Sequence, residues 1–126
     1  NMTKLKQDEI ITEVLRCRAT IKETTGVTTY LFRPPGGNID PFVVKQLRAL
    51  DYNVVYWDVN AGNYSKLPPA EQAAKIINRV QDGSIVLLHN GPIDGTMNIL
   101  PILLSDLARG GYTFVTVSDL VKVPGK

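Results

Sequence analysis

Four short β-branched or aromatic runs, TTYLF from Thr28, NVVYWDV from Asn53, SIVLLH from Ser84 and TFVTV from Thr113, punctuate this chain. A helical pattern separates each from the next, and this alternation constrains the fold more than any other feature. Before the first run, Ile10, Ile11, Val14, Leu15, Cys17 and Ile21 recur in threes and fours, which predicts an amphipathic helix from about Gln7 to Glu23, stopped by Gly26. Pro41 to Leu50, with Asn38 or Asp40 as cap, PPAEQAAKIINRV from near Pro69, and Met97 to Arg109 read as three further helices, and SDLV as one last helical turn. Strands joined through helices pair in parallel, because a tight hairpin cannot join parallel neighbours. The expectation is therefore an α/β fold of alternating β/α units around a parallel sheet of four strands, with residues 1–126 as one domain.

Composition narrows the function. A net charge of +2 with acids and bases interspersed gives no basic stripe, so neither nucleic acid nor anionic lipid is expected as a partner. Runs such as YLF and SIVLL fall far short of the ~20 apolar residues that cross a bilayer, and no membrane contact by this segment is expected. A single cysteine, Cys17, excludes an internal disulfide and a cysteine metal cluster. It is expected to pack as a small apolar residue on the first helix.

In a parallel sheet, the carboxyl ends of the strands form the edge where α/β proteins build their sites. Those ends carry Arg33, then Asn60 and Asn63, then His89, the only histidine. Two prolines after Arg33 restrain its backbone, and Gly36 and Gly37 leave amides unshielded beside a helix start, a setting suited to an oxyanion. Each has a plainer reading. Arg33 could close the sheet edge with a carboxylate, PPGG could be only a turn, His89 could be a hydrogen-bonded structural residue, and Tyr56 and Trp57 could be core or pocket wall.

The order of LFRPPGG, YWDVNAGNY and SIVLLHN, followed by LPILLSDLARGGYTFVTVSDLV, resembles the second half of a polysaccharide deacetylase of carbohydrate esterase family 4, the NodB-homology domain. The resemblance implies about half of an irregular (β/α) barrel. It also implies a zinc or another divalent metal in the complete enzyme, activating a water that attacks the N-acetyl carbonyl of a GlcNAc-type sugar in a peptidoglycan or chitin-like polymer. Carried over by position, Arg33 would hold the catalytic aspartate, and the Gly36 amide, where the family often has tyrosine, would bind the oxyanion. Leu87 would line the acetate pocket and His89 would protonate the leaving amine, while Trp57 and Tyr64 would wall the substrate. Asn60 stands where the family has aspartate. It can orient His89 by a hydrogen bond but carries no charge to balance an imidazolium.

The two earlier family motifs, with the aspartate base and the histidine ligands, have no match before Arg33, so no metal ligand is expected from this chain. The resemblance thus implies the carboxyl-terminal part of a deacetylase, inactive alone. Its expected partners are the polysaccharide, and either the missing amino-terminal part of the domain or a second copy of this chain covering apolar residues of YLF, VVYW and IVLL. Location would be extracytoplasmic, secreted or in the cell envelope. Two other readings stay open: a non-catalytic carbohydrate-binding or structural relative that has lost the metal site, and an independent α/β domain binding an anion at PPGG.

Overall fold

The structure, a computed structural model, describes residues 1–89 and 95–121. The chain divides into two compact units, Asn1–Tyr56 and Trp57–Lys126.

In the first unit, helix α1 (Gln7–Thr25) is followed by strand β1 (Leu31–Phe32), helix α2 (Pro41–Ala49) and strand β2 (Asn53–Val54). The Glu9 carboxylate accepts from the Lys6 amide at 2.7 Å and fixes the start of α1. Gly26 ends it at φ 74°, donating to the Lys22 carbonyl at 2.8 Å, the left-handed cap that glycine adopts without a Cβ penalty. Asp40 caps α2 by accepting from the Val43 amide at 2.8 Å, with Pro41 in the first turn. β1 and β2 pair in parallel, Leu31 opposite Asn53 and Phe32 opposite Val54. Met2, Ile10, Val14, Val43, Leu47 and Tyr52 form the core beneath them.

Cys17 is exposed, contrary to expectation. Periodicity fixes a helix face but not how far along it the core extends. From α1 the core takes only Ile10 and Val14. One turn further on, Arg18 takes over: its guanidinium lies 4.3 Å from the Tyr52 ring centre and 5.4 Å from that of Tyr30. It donates to the Tyr52 hydroxyl at 3.0 Å and the Leu50 carbonyl at 2.6 Å.

In the second unit, strand β3 (Val59–Asn60) leads through a 3₁₀ turn (Ala61–Tyr64) to helix α3 (Pro69–Ile77), strand β4 (Val86–Leu87), helix α4 (Thr96–Arg109) and the single turn α5 (Val117–Leu120). β3 and β4 pair in parallel, Val59 opposite Val86 and Asn60 opposite Leu87. Asp58 secures the entry to this pair, its carboxylate accepting from the Ile85 amide at 2.8 Å while its own amide donates to the Ile85 carbonyl at 3.0 Å. Val59, Ala61, Ala73, Ile76, Ile99 and Leu103 make the second core, closing α3 on α4.

The alternation of parallel strands and helices is as the sequence implied, but the sheet is less extensive. Among the described residues there are two parallel pairs rather than one four-stranded sheet. The run expected as one strand from Asn53 to Val59 contributes its start to β2 and its end to β3. TFVTV forms no strand. A strand is defined by its ladder, and no described segment pairs with this one, so Phe114 and Val115 stand 53% and 56% exposed. The runs expected to face water are better covered: Val55 and Leu87 are buried, and Leu31, Phe32, Val86 and Leu88 half-buried.

Candidate functional site

Arg33 directly follows β1 and is exposed, while Pro34 behind it is fully buried. A buried proline with φ −62° leaves the chain little freedom as it leaves the strand, which defines where the arginine side chain departs. The turn Pro35–Gly37 follows, with Gly36 at φ 64° and Gly37 at φ 70°. Two successive left-handed residues explain two successive glycines. A Cβ on Gly36 would lie 2.8 Å from the Asn38 side-chain nitrogen, so the position is closed to side chains by backbone conformation first and by a neighbour second. The turn is tied by the Gly37 amide to the Pro34 carbonyl at 2.9 Å and by the Tyr56 hydroxyl to the Gly37 carbonyl at 2.8 Å. Tyr56 is thus an exposed hydrogen-bonding residue rather than core.

In the second unit the parallel register sets Asn60 beside Leu87, with His89 two residues beyond it at the carboxyl end of β4. Leu87 is buried and His89 exposed. Asn60 is half-buried and caps the 3₁₀ turn, its Oδ1 accepting from the Gly62 amide at 2.9 Å. That oxygen is therefore engaged locally, and the expected link to His89 is not among the hydrogen bonds of the described residues. Tyr64 packs against the second core, Trp57 is half-buried, and Asn63 is exposed. Asn90, which closes the SIVLLHN motif, lies outside the described residues.

Two side chains take roles other than the sequence implied. Gln72, 3% exposed on α3, donates to the Ala61 carbonyl at 3.2 Å and pins the turn that follows Asn60. Tyr56 pins the glycine turn from a strand-like run. A buried glutamine inside an apolar helix face was the one available signal for the first. The hydroxyl of Tyr56 left none.

Among the described residues, no three His, Cys, Asp or Glu side chains gather closely enough to hold a metal, and the chain has one histidine and one cysteine in all. These residues do not fit a zinc site, which takes at least three protein ligands.

Parallel β/α units, an Arg-Pro-Pro-Gly-Gly turn at one strand end and a Leu-x-His sequence at another define part of a carbohydrate-esterase α/β fold. Residues 1–55 match the family model described as polysaccharide deacetylase. A peptidoglycan-N-acetylglucosamine deacetylase of Bacillus cereus is 33% identical over 96 residues, covering 73% of this chain and 45% of that protein. The crystal structure of a family 4 carbohydrate esterase from Streptomyces lividans in complex with acetate superposes with a TM-score of 0.81 at 26% identity, over 93% of this chain and 60% of the other. A family 4 pseudoenzyme from Bacillus anthracis shares the fold, with a TM-score of 0.83 at 23% identity over 93% of this chain and 41% of its own. These matches support a polysaccharide deacetylase of carbohydrate esterase family 4, of which this chain covers part. Its matches span 20%, 37% and 45% of the first three curated relatives.

Proposed function

We propose that this chain supplies the arginine, oxyanion and acid part of a polysaccharide deacetylase that removes N-acetyl groups from a GlcNAc-type polymer, peptidoglycan or chitin-like, outside the cytoplasmic membrane. The observation that carries the reading is the parallel register of β3 on β4, with Asn60 opposite Leu87 and His89 at the strand end. Leu87 is buried and His89 exposed, which supports reading Leu-x-His as an apolar wall followed by the residue that meets the amine.

In this reading Arg33 orients the carboxylate base, and the Gly36 N–H donates to the carbonyl oxygen as negative charge grows on it. Leu87 walls the acetyl methyl, Trp57 and Tyr64 offer aromatic surface to the sugar, and Asn60 orients the imidazole. Water adds to the carbonyl carbon, the C–N bond breaks, and His89 delivers a proton to the amine nitrogen, giving acetate and a free amino sugar. The base and a divalent metal, zinc in the expected case, belong to residues outside this chain, so the chain alone is inactive. The partner that brings them is the remainder of the domain.

The test uses the complete protein loaded with zinc and follows acetate release from chitooligosaccharide and from peptidoglycan. Release that disappears in His89→Ala supports the proposal. Metal uptake without any acetate release overturns it. One observation favours a second reading, a non-catalytic saccharide-binding relative: the Asn60 oxygen is already engaged by the Gly62 amide. That reading expects oligosaccharide binding by calorimetry with no turnover.

A further inference from the structure

Two adjacent glycines in left-handed conformations make a turn with little intrinsic stiffness, because each has more backbone freedom to lose than any other residue. If the Gly36 N–H is to meet a developing oxyanion, something must fix its direction. The hydrogen bonds supply a route. The Tyr56 hydroxyl donates to the Gly37 carbonyl at 2.8 Å. The same peptide plane carries the Asn38 N–H, which donates to the Pro35 carbonyl at 3.4 Å. The Pro35 carbonyl belongs in turn to the peptide whose other end is the Gly36 N–H. Because a peptide unit is planar, fixing one end of each plane fixes the other.

We propose that Tyr56 is a positioning residue for the Gly36 amide, acting through two successive peptide planes. The proposal rests on the deacetylase reading for its catalytic consequence but not for its structural one. The second bond of the relay is long, so the Asn38 amide holds its plane only while the short Tyr56 bond orients the other end. A second side-chain tie on the turn, from the Asn38 side-chain nitrogen to the Gly36 carbonyl, is 3.5 Å long and local. Tyr56 reaches the turn from 19 residues away, and so connects the strand run after β2 to the turn after β1.

The experiment compares the complete protein with its Tyr56→Phe variant, which removes one oxygen and keeps the ring. Amide exchange by NMR should accelerate at least about tenfold at Asn38, with a displaced Gly36 amide resonance, while the Val43 and Leu47 amides of α2 keep their rates. In the same pair, kcat for acetate release should fall about 10- to 100-fold, less than the loss of a whole oxyanion donor, with KM held within about twofold. Unchanged exchange at Asn38, or equal acceleration at Val43 and Leu47, overturns the positioning role, as does an unchanged kcat in an active protein. A wild-type protein without acetate release overturns the deacetylase reading instead, and the exchange comparison still decides whether Tyr56 sets the turn.

Discussion

Asn60 closes a turn, and in the proposed function it also orients His89; its substitution separates the two. Its Oδ1 closes the 3₁₀ turn through the Gly62 amide. Asn60→Asp keeps an acceptor at that position and adds a second, charged oxygen, so the turn is preserved while the side chain proposed to orient His89 changes from neutral to anionic. In the complete protein this variant should raise kcat for acetate release, by about tenfold where each such factor corresponds to ~1.4 kcal/mol of barrier, with little change in thermal midpoint. An equal or lower kcat would remove Asn60 from the account of the acid. Gly36 yields a complementary stability prediction. At φ 64° a Cβ costs about 1–2 kcal/mol from conformation alone. Gly36→Ala should therefore lower the urea midpoint, and adding Asn38→Ala should recover only the part due to the 2.8 Å approach. Complete recovery would mean that the neighbour, not φ, reserves the position for glycine.

The helices were legible because their signals are local. The Asp40-Pro41 start, the Pro69 start, the Gly26 stop and the Arg109 end fall within a few residues of where the structure sets them. The strands were not, because pairing is a property of two distant segments: β-branched TFVTV has the composition of a strand and no described partner. Of the candidate site, motif order singled out Arg33, Gly36, Asn60, Leu87 and His89. It could not reveal that the Asn60 oxygen is spent on Gly62 or that the Tyr56 hydroxyl holds Gly37, since both depend on side-chain direction. The cap of α2 offers a test at this scale. The Asp40 carboxylate satisfies the Val43 amide, which has no partner within the helix, so Asp40→Ala should cost ~1 kcal/mol in chemical denaturation. Asp40→Asn should cost less, because it retains the acceptor. A null effect for Asp40→Ala would assign the helix start to Pro41 and packing alone.

At the scale of the molecule, exposed large apolar side chains occur from Leu15 to Val121, and two of them, Phe114 and Val115, are adjacent. The segment from Tyr112 to Thr116 is anchored at one end by the Tyr112 hydroxyl on the Val80 carbonyl at 3.1 Å, and at the other by Thr116 capping α5 through the Asp119 amide at 3.2 Å. Between the anchors, Phe114 and Val115 face outward. A segment held at both ends, with two exposed apolar side chains and no ladder partner among the described residues, offers a pairing surface. The 126-residue chain on its own should therefore self-associate as concentration rises, which sedimentation velocity reads directly. Phe114→Ser with Val115→Thr should shift it toward monomer, and a wild-type chain that stays monomeric throughout would refute this use of the surface. Native mass spectrometry with zinc extends the same argument to the metal. With one histidine, one cysteine and no suitable cluster among the described residues, the chain alone should bind no stoichiometric zinc, whereas on the proposed function the complete protein should carry one. Zinc retained by the chain alone would require ligands from a second copy, and would replace a divided active site with one built between identical chains.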